Sequence, residues 1–405
     1  MGLSPAAVAF SLTLILWSSA AFIFSVVALV ATRRLLRDAE ARPAPTTWPA
    51  LAILRPCAGL DPDLHANLLS TVLARYDGPR SLYILVATAE DEAHAIAMSV
   101  RDRAATLAPL VAVQVVVTHI HTQHNRKVAQ LARAESLSTA PVVVVIDSDL
   151  RVDDETLPAL VTALCSDPRA GAASCPPVDI RHDTFGDRAS SALLSSTPHA
   201  FYCLAALAER SGGAHVLCGA LIAIHRAVLE QLGGFATLER YLGEDFELAR
   251  VLHERGYTIP TAKVPGHVTD HGRSLSSVIQ RFSRWATVTR QQRPHLMLSY
   301  PTLIACTPLL LMAALITARA PLGSCATAAV LAVTLVRTAL AKRLRRAYGL
   351  PAGMLRSFVA LLVGELLILV SAAGALGRPI VDWRGQRYRI GRGGLIELLP
   401  QSAKV

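Results

Sequence analysis

Two aspartates stand almost side by side at the end of an apolar run in the stretch VVVVIDSDLRV, residues 142–152. At the end of a buried strand, two such carboxylates would repel each other and lose hydration unless a partner compensated them. A helix cap would need only one acid. Carboxylate oxygens suit Mg²⁺ or Mn²⁺, and a divalent cation carrying a phosphate group would account for both. Asp147 and Asp149 therefore predict a metal–diphosphate site.

Acidic residues at two other places are candidates for capping a helix or for catalysis. Asp91 follows the second predicted strand, where its simplest role is to cap the next helix. Glu244 and Asp245 begin a predicted helix in YLGEDFELARVLHERGY. The helix dipole favours acids in a first turn, whereas a positioned carboxylate can also act as a general base. We therefore consider Asp245 a candidate base.

A basic and aromatic stretch, VIQRFSRWATVTRQQRPH, precedes the first C-terminal apolar segment and contains Arg281, Arg284 and Trp285. Such a composition is typical of a helix that lies on a membrane surface. A functional role for the same residues is compatible with this interpretation.

The elements that must position these acids alternate between strand and helix. Apolar runs at 50–57, 81–88, 111–118 and 141–147 predict strands buried on both faces, with helices between them. This alternation predicts an α/β fold with a mostly parallel sheet. Ligands of such sheets bind beyond the carboxyl ends of the strands, where Asp91, Asp147 and Asp149 fall.

Long apolar segments at both ends of the chain predict membrane insertion, and 52% of the residues are hydrophobic. No charged residue occurs from 1 to 32, and further uncharged stretches of 25 and 17 residues follow Arg293 and Arg319. The 21 residues between Arg356 and Arg378 contain one charge, Glu365. A spanning helix needs about 20 apolar residues. We therefore expect one N-terminal span and about three apolar C-terminal segments.

The orientation follows from the basic residues. A cleaved signal peptide is the alternative for the first segment, but that segment lacks N-terminal Lys or Arg and is followed by RRLLR. An anchor with Arg33, Arg34 and Arg37 inside predicts an integral membrane protein with a cytosolic middle region. A third full C-terminal span would export the basic tail, so one segment is expected to be re-entrant or interfacial, and the count stays open.

The sequence predicts four regions: an anchor (1–32), a cytosolic α/β domain (48–293), spanning or re-entrant helices (294–378) and a basic tail (379–405). The net charge of +10 comes largely from residues flanking the apolar segments, and no basic stripe with aromatics indicates nucleic-acid binding. Seven cysteines without metal-finger spacing indicate a reducing compartment. Oligomeric state is not indicated.

Taken together, the motifs resemble a family 2/21-type glycosyltransferase of the GT-A fold, of the ceramide glucosyltransferase group and its bacterial hopanoid-biosynthesis relatives. The resemblance rests on LRPCAGLDPDLHANL, ATAEDEA, IDSDLRV, CGALIAIHRAVLEQLGGF, LGEDFELA, RFSRW and WRGQRYRI, which occur in that order. It covers the chain from about residue 50 to 293 and continues into the tail.

The resemblance implies a role for each matching residue. Asp91 would contact the uracil or ribose of a UDP-sugar, with Lys127 of HNRKVAQL close to the nucleotide. Asp147 would hold the diphosphate through the metal, and the presence of Asp149 strengthens the expectation that the metal is bound directly. Asp245 would be the catalytic base. In the basic motif, Arg284 and Trp285 would close over the diphosphate and acceptor, supported by Arg281. His271 of VTDHGRS is either a further metal or phosphate contact or a surface-loop histidine.

The resemblance implies an inverting enzyme that transfers a hexose from UDP-glucose to a membrane lipid, with ceramide expected as acceptor. The alternatives are N-acetylglucosamine transfer to a hopanoid polyol and a processive polysaccharide synthase, although the latter usually has Gln where Arg281 stands. A membrane scaffold or transporter without catalysis is the alternative from another class, but the chain lacks the paired repeats of transporters.

Overall fold

The computed structural model describes residues 5–120, 124–211 and 216–400. Residues 1–4 of the predicted anchor and 401–405 of the predicted tail lie outside this range. The described residues form two compact units, each assembled from separate parts of the sequence. One unit, here called the membrane unit, contains residues 5–36, 183–211 and 273–379; the other, the sheet unit, contains 37–182, 216–272 and 380–400.

The elements are numbered along the chain. The strands are β1 (Leu51–Pro56), β2 (Arg80–Val86), β3 (Ala112–Val117), β4 (Val142–Ile146), β5 (Leu150–Arg151), β6 (Ala172–Ser174), β7 (Pro177–Asp179), β8 (Leu221–His225), β9 (Gly266–Val268), β10 (Ile380–Trp383), β11 (Gln386–Ile390) and β12 (Ile396–Leu398). The helices are α1 (Pro5–Glu40), α2 (Leu64–Leu73), α3 (Glu92–Leu107), α4 (Arg126–Ala134), α5 (Thr156–Cys165), α6 (Phe185–Ser196), α7 (Phe201–Ser211), α8 (Arg226–Gln231), α9 (Glu244–Glu254), α10 (Leu275–Gln292), α11 (Thr307–Thr317), α12 (Gly323–Ala347) and α13 (Met354–Gly374).

The sheet unit is built on a six-stranded sheet with the order β3-β2-β1-β4-β8-β6. The first four strands are parallel, and β8 runs antiparallel to both β4 and β6. The prediction of an α/β fold with a mostly parallel sheet is confirmed. Two further sheets have three strands each, in the orders β5-β9-β7 and β10-β11-β12.

The four predicted strands correspond to β1–β4, but β3 is not buried on both faces as expected. It lies at the edge of the sheet, and its residues are exposed or half-buried. An edge strand has a neighbour on one side only, so an apolar run does not by itself fix burial. The strand β8 was not predicted, because a run of five residues cannot be distinguished from a buried helical turn by periodicity.

Among the residues that the structure describes, three helices are long and apolar enough to cross a membrane, namely α1, α12 and α13. A fourth candidate consists of residues Pro294–Ile304 and Thr307–Thr317, two helical pieces joined at a 50° bend. This bend is where the helical hydrogen bonds of the first piece end and α11 begins.

Candidate active site

The turn that contains Asp147 and Asp149 is fixed through its backbone at the carboxyl end of β4. Arg55, a buried arginine in the apolar strand β1, donates to the carbonyl oxygens of Asp147 at 2.7 Å and Leu150 at 2.8 Å. The carbonyl oxygen of Asp149 accepts from the amide of Thr269 at 2.9 Å. These contacts to the main chain leave the orientation of the turn independent of its two carboxylates.

Lys127, on the first turn of α4, joins the paired acids to the acidic start of α9. Its Nζ lies 2.7 Å from Asp147 Oδ1 and 3.0 Å from Glu244 Oε1, and it donates to the carbonyl of Gly219 at 3.1 Å. Burial by itself would lower the pKa of Lys127, but the two carboxylates outweigh it and raise the pKa above its usual value. Lys127 is therefore a permanent cation of this site.

Asp245, at the beginning of α9, is held against the loop before β8. Its Oδ2 accepts from the amide of Gly219 at 3.0 Å, and its Oδ1 accepts from the amide of Phe246 at 2.8 Å. A Cβ at position 219 would lie 2.8 Å from the Cβ of Asp245, so this approach requires glycine. Burial, then the charge of Glu244, raises the pKa of Asp245 to about 6. This is the range that suits a general base at neutral pH.

Asp91 adopts the capping role that its position favours. Its Oδ1 accepts from the amide of Ala93 at 3.0 Å in the first turn of α3, and from the amide of Gly59 at 2.9 Å. The second contact ties the loop after β1 to the loop after β2 at the carboxyl edge of the sheet. Nucleotide recognition by Asp91 stays a prediction.

Arg281, Arg284 and Trp285 lie on α10, which belongs to the membrane unit. The guanidinium of Arg281 lies over the Trp285 ring, 5.3 Å from its centroid, a cation–π contact. Trp285 also packs edge-on against Phe282, with ring centroids 5.1 Å apart. The motif is therefore an ordered surface of one helix. In the sheet unit, His271 Nδ1 lies 2.9 Å from the carbonyl oxygen of Thr269, next to the Asp149 backbone.

Two residues that the sequence did not single out complete the edge of the sheet. Asp61, in the loop after β1, accepts from the hydroxyl of Ser148, the residue between the paired acids. Arg384, in the C-terminal hairpin, donates to Asp61 Oδ1 at 3.0 Å. Asp61 could have been predicted from the sequence, because it follows a parallel strand, as Asp91 does, and ligands bind beyond the carboxyl ends of such strands. Arg384 lies in the motif WRGQRYRI, but that motif did not indicate a contact with Asp61.

The donor set at the paired acids fits a cation that arrives with its substrate. The described part of the chain has no group of three or more His, Cys, Asp or Glu side chains able to hold a metal ion alone. Mg²⁺, however, is commonly bound by one or two carboxylates together with substrate phosphates. More acidic than basic side chains lie at this edge. The acids are Asp61, Asp147, Asp149, Glu244 and Asp245, and the cationic side chains near them are Arg55, Lys127 and Arg384. A cation would offset this excess before a diphosphate could bind.

Comparison with known proteins identifies the family. The model of glycosyl transferase family 21 matches residues 13–396. Ceramide glucosyltransferase 1 of Caenorhabditis elegans is 24% identical over 270 residues, which cover 66% of this chain and 55% of that protein. Ceramide glucosyltransferase 3 of the same organism is 22% identical over 258 residues, covering 63% and 54%. The chain thus spans about half the length of the curated relatives it matches.

Two solved structures with a similar chain trace can be compared with this protein. Mannosyltransferase PcManGT from Pyrobaculum calidifontis, in complex with GDP-Man and Mn²⁺, has a TM-score of 0.48 at 19% identity and covers 91% of this chain and 99% of its own. Glucosyl-3-phosphoglycerate synthase from Mycobacterium tuberculosis has a TM-score of 0.37 at 17% identity, covering 61% and 80%. The resemblance inferred from the motifs is confirmed by the family match. Because that match extends over nearly the whole chain, the protein belongs to glycosyl transferase family 21.

Proposed function

We propose that this protein is a glycosyltransferase that transfers glucose from UDP-glucose to the hydroxyl group of a membrane lipid, with ceramide as the acceptor. The two curated relatives, both named ceramide glucosyltransferases, support the sugar and the acceptor. The observation that carries the proposal is the arrangement around Lys127, which contacts both the diphosphate-site acid Asp147 and the carbonyl of Gly219, the residue whose amide donates to Asp245. One amine therefore connects a leaving-group site to a candidate base.

In the proposed reaction, the acceptor oxygen forms a bond to the anomeric carbon while the bond from that carbon to the diphosphate oxygen breaks. The acceptor proton passes to the carboxylate of Asp245, and UDP leaves with the bonding electrons. Lys127 would stabilise the negative charge that develops on the leaving diphosphate. With a single base facing the acceptor, the displacement inverts the anomeric centre, since a retaining route needs a second carboxylate as nucleophile.

A divalent cation fits the same site. Asp147 and Asp149 would hold Mg²⁺ or Mn²⁺, which when bound supplies further electrostatic stabilisation of the departing diphosphate. The buried Arg55 supports this role indirectly, because it keeps the turn in place without using either carboxylate. Asp91 is proposed to contact the nucleoside.

A lipid acceptor requires an active site at the membrane surface. Withdrawing a lipid from the bilayer costs roughly 0.8 kcal/mol for each CH₂ group exposed, so the enzyme must reach the hydroxyl where it lies. The helix α10, with Arg281, Arg284 and Trp285, leads directly into the first C-terminal apolar segment. We propose that these three residues act at the acceptor side of the reaction.

Incubation of membranes containing the protein with radiolabelled UDP-sugars, followed by lipid extraction, tests the proposal. We expect a labelled monoglycosyl ceramide from UDP-glucose and its loss after chelation of divalent cations. A labelled hopanoid from UDP-N-acetylglucosamine or an insoluble polymer would overturn the proposed substrates. Activity that persists after chelation would overturn the proposed role of a divalent cation but not the proposed transfer reaction.

The contacts of the C-terminal tail constrain how the chain crosses the membrane. In the sheet unit, the amide of Ile396 donates to the carbonyl of Arg240 at 2.9 Å, and the Tyr388 hydroxyl donates to the carbonyl of His124 at 3.2 Å. The tail and the sheet must therefore lie on one side of the membrane. We infer that residues 273–379 cross the bilayer an even number of times.

The packing within the membrane unit supports a choice of which segments cross. One apolar cluster joins α1, α11 and α12 through residues such as Leu14, Leu310 and Val330. Another joins α13 to α6, α10 and the start of the bent segment through residues such as Leu367, Leu193 and Tyr300. We propose that the bent segment 294–317 and α12 cross, whereas α13 lies in the interface. The basic run at 342–346 and the tail then both face the cytosol, as the positive-inside rule favours.

Labelling of two native thiols tests this topology. Cys325, exposed at the start of α12, and Cys165, exposed at the end of α5, are free cysteines. In intact cells, a membrane-impermeant maleimide should modify Cys325, whereas Cys165 should react only after permeabilisation. A cysteine introduced at the exposed Gly353, before α13, should behave like Cys165. Protection of Cys325 in intact cells would contradict the topology.

A further inference from the structure

The C-terminal hairpin places a guanidinium next to the paired acids. The strands β10 and β11 pair through Trp383 and Gln386, so that Arg384 and Gly385 form a two-residue turn. The side chain of Arg384 donates to the carbonyl of Ala58 at 2.9 Å and to Asp61 at 3.0 Å. Asp61 in turn accepts from Ser148, between Asp147 and Asp149.

The backbone of this turn is unusual for arginine. Arg384 has φ 48° and Gly385 has φ 76°, as in a type I′ turn. Positive φ at the first central position favours asparagine, aspartate or glycine, and a long side chain there is uncommon. Strained residues of this kind persist where the surroundings hold them, often at functional sites. The hairpin would form more easily without arginine, so its side chain needs another explanation.

Electrostatics supply that explanation. Partial burial would lower the pKa of Arg384, but Asp61 and, more weakly, Asp149 and Asp147 outweigh it and raise the pKa. The guanidinium is therefore within the field of both acids of the predicted diphosphate site. Its side chain remains 46% exposed, whereas that of Asp61 is 16% exposed. Arg384 thus has room to exchange a carboxylate partner for a phosphate, a group that arginine binds with two parallel hydrogen bonds.

We propose that Arg384 binds the diphosphate of the sugar donor, with Asp61 as its partner when no nucleotide is present. This inference rests on the proposed function, because it assumes that a nucleoside diphosphate occupies the edge of the sheet. The C-terminal hairpin then forms part of the donor site, although more than 300 residues separate Arg384 from Asp61 in the sequence.

The substitution Arg384→Asn tests the inference without endangering the fold, because asparagine suits this turn position better than arginine. We expect the full-length protein to keep its thermal stability, while its affinity for UDP in the presence of Mn²⁺ falls on the order of tenfold. The affinity for uridine, which lacks phosphate, should be unchanged. Calorimetry of the purified protein in detergent measures both. Arg389→Gln is the matched control, since Arg389 of β11 pairs with the exposed Glu397 of β12, in the same three-stranded sheet.

Asp61→Asn separates binding from a purely structural role. If Arg384 only fastens the hairpin to Asp61, this variant should lose as much UDP affinity as Arg384→Asn. If Arg384 binds phosphate, the Asp61→Asn variant should retain most of the UDP affinity. Unchanged UDP affinity in Arg384→Asn would overturn the inference and leave the proposed function standing.

Inorganic pyrophosphate provides a probe that does not depend on the nucleoside. If the wild-type protein binds pyrophosphate but not UDP, the proposed donor is wrong, and the loss of pyrophosphate binding in Arg384→Asn still supports the inference. If the wild-type protein binds neither ligand, both proposals are wrong.

Discussion

Replacing Asp245 by asparagine is expected to lower turnover by roughly 10²–10⁴-fold, the usual contribution of a general base, while UDP binding stays nearly unchanged. Asparagine keeps the shape of the side chain and can still accept a hydrogen bond from the amide of Gly219. It cannot take a proton from the acceptor hydroxyl. Single-turnover kinetics together with calorimetric titration of UDP separate these two effects. Equal losses of turnover and UDP affinity would contradict the assignment.

The same assignment predicts the pH profile. The carboxylate form of Asp245 is the active one, and burial raises its pKa to about 6. Activity should therefore fall as the pH drops through about 6, whereas an unperturbed aspartate would remain ionised down to roughly pH 4. UDP binding must be followed over the same range, because burial also raises the pKa of Asp147 to about 6. An activity that stays constant down to pH 5 would exclude Asp245 as the base.

Gly219 offers an independent test of the position of Asp245. A methyl group at residue 219 would lie 3.1 Å from Asp245 Oδ2 and 2.8 Å from its Cβ. Gly219→Ala should therefore displace the carboxylate and reduce turnover on the order of 10²-fold, as a shift of about 1 Å does in other enzymes. Gly353→Ala is the matched control, because a methyl group at residue 353 would have no heavy atom within 4 Å, and it should leave turnover unchanged.

Much of the sheet could be predicted from the sequence because its signals are local. The runs that became β1, β2 and β4 are apolar and bounded by polar residues, and the rule that ligands bind beyond parallel strand ends brought Asp91, Asp147 and Asp149 to one edge. The edge position of β3 is not a local property. It depends on the order of strands in the sheet, and the apolar run 111–118 contains no information about that order.

The contacts that complete the site are long-range and were missed for that reason. Arg55 interrupts an apolar strand, and its role becomes clear only when the turn at 147–150 lies beside it. Arg384 meets Asp61 only because the tail returns to the sheet unit after the membrane segments. Periodicity along one chain does not indicate which distant loops meet. The roles of Arg281, Arg284 and Trp285 likewise stay predictions.

Replacing Glu365 by glutamine is expected to destabilise the membrane unit by about 3–5 kcal/mol, the usual cost of breaking a buried ion pair. Glu365 of α13 and Arg337 of α12 are fully buried, and Arg337 Nη2 lies 2.6 Å from Glu365 Oε1. Glutamine would leave the charge of Arg337 without a counter-ion. Thermal unfolding in detergent should show a clearly lower Tm. Glu397→Gln, which removes one partner of an exposed pair with Arg389, should change stability by less than about 0.5 kcal/mol.

Arg337 and Glu365 also form hydrogen bonds with the backbone at the bend before α11. This role can be tested separately from the neutralisation of charge. Arg337 donates to the carbonyls of Leu303 and Ile304, and Glu365 accepts from the amide of Thr307 at 2.8 Å. These are groups that helix ends leave without partners, and each costs about 1–3 kcal/mol when buried and unpaired. Replacing both charged residues by methionine should therefore fail to restore wild-type stability, although no charge remains uncompensated. Full recovery in that double variant would mean that the pair neutralises charge only and does not hold the bend.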